Sequence, residues 1–358
     1  MKKSLIALAA LAASGFAMAQ SSVTMFGIVD ANIGYTNHNG ANGGVVGMGS
    51  GGNNTSRLGF RGVEDLGGGL KAGFWLEGAL VNDTGAPAGF NFQRESTVRL
   101  SGGFGEVRLG REQTPTYRAV SKYDAFGQVG FGRNEAFLMD GSAGTIVPPA
   151  TTATRTADAG GVRQNNMISY YSPKMGGFSV SGGYGFHEKT NGNEGRYMGL
   201  AGGYDNGPLS LGMSYESRNV DIGVLGANKK NRAALGASYD FGAVKLIGSI
   251  SQNKYKVATP ASSAKVNTYA LGLTAPVGAG TVKAQYALYD QKTIGKAHHL
   301  SVGYQYDLSK RTALYTTASY MKNNDGSNMR LNNTDIGGAA PGAGLNQTGV
   351  QAGIRHSF

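Results

Sequence analysis

The segment LSVGYQYDL, residues 300–308, has an apolar or aromatic side chain at every second position and small or polar side chains between them. A period of two gives a strand one apolar face and one polar face. The same alternation runs through residues 282–288 and 23–33. A soluble β-sandwich alternates in the same way, so the pattern predicts strands without yet separating a sandwich from a membrane barrel.

The spacing between the predicted strands is more informative, because short interruptions alternate with long polar ones. Seven short turns are predicted near residues 64–69, 102–105, 173–177, 206–208, 242–243, 277–280 and 309–311. Eight long loops are predicted near residues 36–54, 82–89, 112–161, 188–194, 219–230, 255–265, 292–297 and 324–346. Tight periplasmic turns that alternate with long external loops are typical of outer-membrane barrels.

Seven turns and eight loops join sixteen strands, which at about ten residues per tilted strand take roughly half of the chain. The predicted fold is therefore all-β, a sixteen-stranded antiparallel transmembrane β-barrel. A barrel of this strand number is wide enough to hold water. It must also close, because an open sheet edge would leave backbone groups unpaired in hydrocarbon.

The N-terminus carries an export signal. Lys2 and Lys3 precede the apolar run 5–13, and Ala17-Met18-Ala19 forms a small-x-small cleavage site. This order is that of a secretory signal peptide, and the apolar run is too short for a membrane span. We predict a signal peptide at residues 1–19 and a single barrel domain at residues 20–358.

Composition excludes several classes of function. The chain has 59 glycines, 18 tyrosines, nine prolines and no cysteine, which excludes disulfides, a thiol nucleophile and a cysteine-ligated metal. A net charge of +11 often indicates nucleic acid, but an exported chain with scattered basic residues does not favour that partner. Anionic lipopolysaccharide outside the barrel and anionic solutes inside it are the expected partners.

The longest interruption, residues 112–161, is predicted to be functional, because loops of this length in compact domains usually are. Its acidic residues are Asp124, Glu135, Asp140 and Asp158. The alternative is an ordinary external loop.

The chain ends on an aromatic residue that is in phase with the apolar row of its last strand. That row is Thr348, Val350, Ala352, Ile354, His356 and Phe358. A terminal aromatic in a lipid-facing row is typical of bacterial outer-membrane barrels. Phe358 is therefore predicted to act in assembly, as a signal to the outer-membrane assembly machinery, beside the N-terminal strand Val23–Tyr35.

Five blocks of sequence resemble the general porins of Gram-negative β-proteobacteria, and most of all their anion-selective branch in comamonads. The blocks are SVTMFG (22–27), SRLGFRGVEDLG (56–67), FGEVRLGR (104–111), SKRTALY (309–315) and GIRHSF (353–358). The resemblance implies a homotrimer and a third external loop folded inward as a constriction, here residues 112–161. It also implies an arginine cluster on the facing wall, and by position Arg57, Arg94 and Arg163 match its members. The acids of the inward loop are then expected to face this cationic wall.

Strand parity tests these arginines independently. Leu58 and Phe60 should face lipid, which turns Arg57 and Arg61 to the lumen. By the same rule Ile168 and Tyr170 leave Arg163 facing the lumen.

Arg94 fails this test, because it is in phase with Val98 and Leu100. Either a bulge near Glu95 resets the register, or Arg94 lies outside the bilayer band. Arg99 and Arg108 are further basic candidates for the lumen. An ordinary solvated charge is the alternative for every arginine.

The predicted function is passive diffusion of small hydrophilic solutes, with anions preferred, and it needs no cofactor and no metal. A substrate-specific anion channel and an outer-membrane enzyme of the phospholipase type are the alternatives. The enzyme would need a histidine beside a nucleophile, and no Gly-x-Ser-x-Gly motif occurs. Gly47, Gly49 and Gly52 match G-x-G-x-x-G, but this segment is predicted to be a loop, without the strand and helix of a dinucleotide site.

Overall fold

The computed structural model describes residues 22–38, 43–85, 91–137, 162–221, 227–256, 264–292, 294–331, 336 and 342–358. They form one antiparallel sheet of seventeen strands. The strands are β1 (Ser22–His38), β2 (Gly44–Ser50), β3 (Arg57–Gly67), β4 (Leu70–Ala79), β5 (Glu95–Gly102), β6 (Gly105–Gln113), β7 (Arg163–Tyr171), β8 (Phe178–Gly185), β9 (Tyr197–Asn206), β10 (Leu209–Asp221), β11 (Ala227–Asp240), β12 (Lys245–Lys256), β13 (Ala264–Val277), β14 (Gly280–Gln291), β15 (Gly295–Asp307), β16 (Thr312–Asn323) and β17 (Gln347–Ser357).

Strand β1 closes the sheet into a barrel. One edge of β1 pairs with β17, from Ile28 opposite Ser357 to His38 opposite Gln347. Its other edge pairs with β3 in the first half, Ser22 to Ile28, and with β2 in the second half, Ala31 to Asn37. Sixteen strands thus form the predicted barrel, and β2 is an additional short strand within the second position of the ring.

The two faces of the sheet confirm the predicted alternation. In β1, Val23 and Ile33 are 67% and 62% exposed, whereas Asp30 and Asn32 between them are buried. In β17, Val350 and Ile354 are exposed while Gln351 is buried. Apolar side chains therefore point outward and polar ones inward, the reverse of a soluble protein. Among the described residues no helix is long and apolar enough to cross a membrane.

All seven predicted short turns join consecutive strands. The first is a glycine triplet, Gly67–Gly69, in which every residue has a positive φ, a backbone conformation that glycine adopts without strain. The predicted loop at residues 36–54 is wrong in part, because it contains the end of β1 and all of β2. The G-x-G-x-x-G string begins inside β2, so its first two glycines lie in a strand.

The C-terminal residue completes the barrel seam. The backbone N–H of Phe358 donates to the carbonyl of Gly27 at 3.1 Å, and the N–H of Gly27 donates to the carbonyl of Phe358 at 3.1 Å. A Cβ atom at position 27 would collide with the Phe358 ring. Glycine at position 27 therefore leaves space for the ring on the outer surface, as the predicted neighbourhood of Phe358 and the N-terminal strand requires. The predicted signal peptide, residues 1–19, lies outside the described residues.

We expect deletion of Phe358 to reduce the amount of folded barrel in the outer membrane, because it removes two seam hydrogen bonds and the terminal apolar ring. The measurement is the heat-modifiable band in isolated outer membranes. Gly27→Val should act in the same direction by displacing the ring, while Phe358→Tyr should assemble normally. Wild-type amounts of folded barrel from the deletion variant would contradict this role.

Candidate pore constriction

The third long loop begins directly after β6 with a short helix. Glu112 and Gln113 still belong to β6, so the loop starts at Thr114 and not at the predicted residue 112. Thr114 caps helix α1 (Pro115–Val120), its side chain accepting from the N–H of Tyr117 at 3.2 Å. Side-chain capping and a proline in the first turn both favour a helix start at this point. A 3-10 turn at Glu135–Phe137 ends the described part of the loop.

The loop lies against the inner wall along a path of glycines. Tyr123 occupies the space where Gly212 and Gly236 lack side chains, and Phe126 does so at Gly303. Further along the path, a Cβ atom at Gly349 would lie 3.2 Å from the ring of Phe131. Tyr123, Phe126 and Phe131 are all buried. The predicted inward fold of the third loop is thereby confirmed for its described part, residues 114–137.

Two of the four predicted loop acids stabilise the loop itself. Asp124 accepts hydrogen bonds from the N–H of Phe126 at 2.7 Å and from the N–H of Asn134 at 2.6 Å. Glu135 forms an ion pair with Arg133 at 2.8 Å. These carboxylates were expected to face the arginine wall, but they are instead used inside the loop.

Burial raises the pKa of the Asp124 carboxyl to about 6, against the opposing effect of its hydrogen bonds. Burial also raises the pKa of Glu135, which Arg133 opposes. Asp140 and Asp158 lie outside the described residues.

The loop before β17, predicted to be external, also contributes to the barrel interior. Met329, Leu331 and Ile336 are buried and form one apolar cluster with Phe131 of the third loop. The Asn323 side chain anchors this segment by donating to the carbonyls of Met329 at 2.8 Å and Leu345 at 2.7 Å. The lumen is therefore narrowed by two loops that pack on each other.

A third inward element is the break between β2 and β3. Asp30, fully buried on β1, accepts from the backbone N–H groups of Gly52 at 3.2 Å, Asn53 at 3.0 Å and Asn54 at 2.6 Å. Tyr315 from the far side of the seam donates to the same carboxylate. This single acid holds residues 51–56 in position and so fixes where β3, and Arg57 with it, begins.

The three arginines suggested by the resemblance lie together around Glu77 of β4. Arg94 Nε donates to Glu77 Oε1 at 2.6 Å, and Arg57 Nε lies 3.9 Å from the same oxygen. Arg163 Nε donates to the carbonyl of Arg94 at 2.8 Å. Two positive charges therefore lie at one negative charge, and a third is joined to them through the backbone of Arg94, which leaves the cluster with an excess of positive charge. Tyr117 of α1 is buried nearby, so the cluster adjoins the start of the inward loop.

Strand parity explains Arg57 but neither of its partners. A bulge in β7 places two residues opposite Arg111 alone, and Asn166 there has a φ of 50°. The parity argument from Ile168 to Arg163 therefore fails, although Arg163 reaches the cluster. For Arg94 the suggested bulge near Glu95 is absent, since the described pairing of β4 with β5 has no register shift. Arg94 precedes β5 and is not bound by strand parity.

The other basic candidates lie on the same wall, nearer the short turns. Arg99 pairs with Glu95 and lies 3.7 Å from Glu106. Arg108 pairs with Glu112 at 2.7 Å. Arg61 lies over the ring of Trp75 at 5.4 Å, and no carboxylate among the described residues forms an ion pair with it. Arginine and glutamate side chains are therefore interspersed along this part of the lumen wall, and positive charge is in excess at the cluster around Glu77.

The sequence analysis did not identify Glu77, Asp30 or the lumen glycines. Glu77 could have been found by register, because it lies two residues from Trp75, on the same face of β4, and β4 pairs with the strand that carries Arg57 and Arg61. The described residues contain no group of three or more histidine, aspartate or glutamate side chains arranged to hold a metal ion.

A closed antiparallel barrel with an apolar exterior, a charged interior and an inward loop defines a channel protein of the outer-membrane type. Residues 5–326 match the family model described as Gram-negative porin. The chain is 51% identical, over the full length of both chains, to outer membrane porin protein 32 of Delftia acidovorans. It therefore belongs to the Gram-negative porin family and forms a passive channel in the bacterial outer membrane.

Solved structures of other proteins are similar to this protein. The anion-selective porin of Comamonas acidovorans has a TM-score of 0.87 at 48% identity, over 95% of this chain and 100% of that one. An outer membrane protein of Vibrio cholerae, described as a trimer form, has a TM-score of 0.64 at 14% identity, over 94% of this chain and 99% of that one. The second likeness concerns the fold alone.

We expect Gly236→Val to increase single-channel conductance, because the new side chain would push Tyr123 and the inward loop away from the wall. Overpacking of this kind costs roughly 1–3 kcal/mol, enough to displace a loop without unfolding a barrel. Gly248→Val is the control, since position 248 faces outward with only ordinary contacts. Tyr123→Ser should enlarge the pore without overpacking. Wild-type conductance in both Gly236→Val and Tyr123→Ser would contradict this anchoring role.

Proposed function

We propose that this porin prefers anions, and that Arg57, Arg94 and Arg163 produce the preference. The supporting observation is the cluster itself, in which Arg57 and Arg94 lie at the single carboxylate of Glu77 and Arg163 is bonded to the backbone of Arg94, beside the start of the inward loop. The name of the similar Comamonas structure, an anion-selective porin, supports the same direction.

The physical argument is electrostatic. A charge near a passing ion at ~4 Å and an effective dielectric of ~20 contributes roughly 4 kcal/mol before hydration and salt reduce it. Arginine suits this position because it stays charged and binds carboxylate or phosphate through a planar fork. Channels need binding weak enough for release, so the pore should favour anions without excluding cations. Small organic acids, phosphate and chloride are the expected cargo.

A passive channel requires no catalytic group, and we propose that the protein has no enzymatic activity. Among the described side chains, His299 is hydrogen-bonded to Ser301 at 2.9 Å and His298 to Tyr286 at 2.6 Å. His356 pairs with Thr312 at 2.9 Å. None of these histidines is bonded to a carboxylate within the described part of the chain, as a hydrolytic triad requires.

We further propose that the chain assembles as a homotrimer through the outer face of β1, β2 and β17. Val46 and Met48 of β2 are 70% and 52% exposed beside Ile33 of β1. A neighbour's apolar surface would cover them as well as lipid does. Cross-linking of the native protein in outer membranes tests this assembly.

We expect the double variant Arg57→Ser and Arg163→Ser to shift the zero-current potential in a potassium chloride gradient towards zero or past it. Glu77→Gln should shift the potential the other way, because it removes the one negative charge among the three arginines. Both effects should be larger at low salt, since the screening length falls from about 30 Å at 0.01 M to about 3 Å at 1 M.

Arg311→Ser is the control, because it removes one positive charge from an exposed short turn away from the cluster, and its ion preference should stay near wild type. Preference for potassium in the wild-type pore at low salt, or an unchanged preference in the double variant, would refute the proposal. Conductance that saturates with one anion would instead favour a substrate-specific channel.

A further inference from the structure

The outer surface of the barrel carries a concentration of positive charge at its long-loop end. The outward-facing rows of β11, β12 and β13 end there in four lysines, which we call the lysine patch: Lys229, Lys254, Lys256 and Lys265. Lys229, Lys254 and Lys256 are exposed and Lys265 is half-buried. These side chains point away from the lumen, so they take no part in the pore.

The register brings the four lysines together as opposed pairs. Lys229 lies directly opposite Lys256, and Lys254 lies directly opposite Lys265. Side chains so placed have Cβ atoms about 5 Å apart, and like charges there are destabilising. Within the described part of the chain no carboxylate forms an ion pair with any of the four. The fold thus tolerates a repulsion that a bound anion would relieve.

A cleft extends the positive charge sideways. Arg196 and Lys229 line a cavity of about 280 Å³ together with Tyr184, Met198 and Ser217. Both basic side chains are exposed. The cavity therefore combines two basic side chains with apolar lining residues, and it lies at the level of the lysine patch.

Below the lysine patch the surface becomes polar without charge and then apolar. Gln252 Nε2 donates to Asn267 Oδ1 at 2.8 Å one step below the lysines. Under this amide pair lies an open groove of about 990 Å³, whose lining includes Phe178, Val180, Met213, Leu235, Ile250 and Leu271. Glycines at positions 202 and 248 deepen it. From Lys254 to Gly248 the strand runs about 20 Å at roughly 3.3 Å per residue, a length that suits an extended acyl chain.

We propose that the lysine patch and this groove bind a phosphorylated, acylated lipid of the outer leaflet. The phosphates would contact the lysines and Arg196, and one acyl chain would lie in the groove. The inference rests on the porin function, because the long loops of outer-membrane barrels lie outside the cell. Charge complementarity favours this occupant, because its phosphates are negative and the lysines are concentrated above the groove. The outward faces of β1 and β2 carry no lysine at the same level.

The test is native mass spectrometry of the detergent-purified full-length protein with lipid A that carries both phosphates. The quadruple variant Lys229→Gln, Lys254→Gln, Lys256→Gln and Lys265→Gln should retain at least about tenfold less lipid, since each basic residue at an anionic surface contributes about 1 kcal/mol, or roughly a fivefold factor. The wild-type protein should retain dephosphorylated lipid A poorly. Leu235→Gln should weaken retention of lipid A and leave binding of inorganic phosphate unchanged.

The matched control is Lys71→Gln, Lys174→Gln, Lys245→Gln and Lys310→Gln, which removes the same charge at the short-turn end and should keep lipid binding. Conductance of the patch variant should equal that of wild type, so a failure here is separable from a failure of the porin proposal. Equal retention of lipid A by the patch variant, or equal retention of its dephosphorylated form, would overturn the proposal. Loss of the oligomer in the patch variant would also overturn it, by identifying the groove as a contact between copies.

Discussion

The requirement that every backbone N–H and C=O in a bilayer find a partner governs this structure. Hydrocarbon offers no hydrogen bonds, so a sheet must close on itself. Closure here depends on β1, which pairs with β17 along one edge and with two shorter strands along the other. The seam ends at Phe358 and Gly27, where two hydrogen bonds and one ring position the last residue beside the first strand. Because the ring is closed, its strands can afford breaks and bulges inside the lumen without exposing an edge to lipid.

Those breaks are where the pore acquires its shape. The interruption between β2 and β3 is held by Asp30, whose carboxylate collects three backbone N–H groups and so replaces the strand pairing that is lost. The bulge opposite Arg111 and the start of β5 after Arg94 act similarly, and they bring Arg94 to Glu77 and Arg163 to the backbone of Arg94. All three cluster arginines lie at the margin of a strand. Alternation sets the direction of Arg57, whereas local geometry sets the directions of Arg94 and Arg163. The inward loop then packs against wall glycines, which give it room that any larger residue would remove.

This division explains what could be predicted from the sequence. Period-two alternation and turn spacing determine strand number and facing, because lipid outside and water inside impose opposite polarity on adjacent residues. All seven short turns were located correctly, and Arg57 was placed by parity. Alternation carries no information where strand pairing is irregular. For this reason β2 was predicted to be a loop. The parity argument for Arg163 assumed a regular register, which the bulge at Asn166 changes. Asp124 and Glu135 were expected to face the arginines, but burial favours carboxylates that accept nearby N–H groups, and only the folded loop shows those donors.

The arginine cluster in the lumen and the lysine patch on the outer surface differ in how their charges are balanced. Inside, Arg57 and Arg94 lie at Glu77 and Arg163 is bonded to the backbone of Arg94, so one carboxylate partly balances a group of like charges that would otherwise repel each other. The proposed anion preference rests on the charge that remains unbalanced. Outside, the lysines have no such partner in the described structure and stand in opposed pairs. A lysine is a compact, strongly hydrated point charge, which tolerates this arrangement only where water or anionic headgroups reach it. The position of the Gln252–Asn267 amide pair between lysines and groove marks that boundary. We therefore propose that charge inside the barrel acts on the solutes that pass through it, and that charge outside acts on the surrounding membrane.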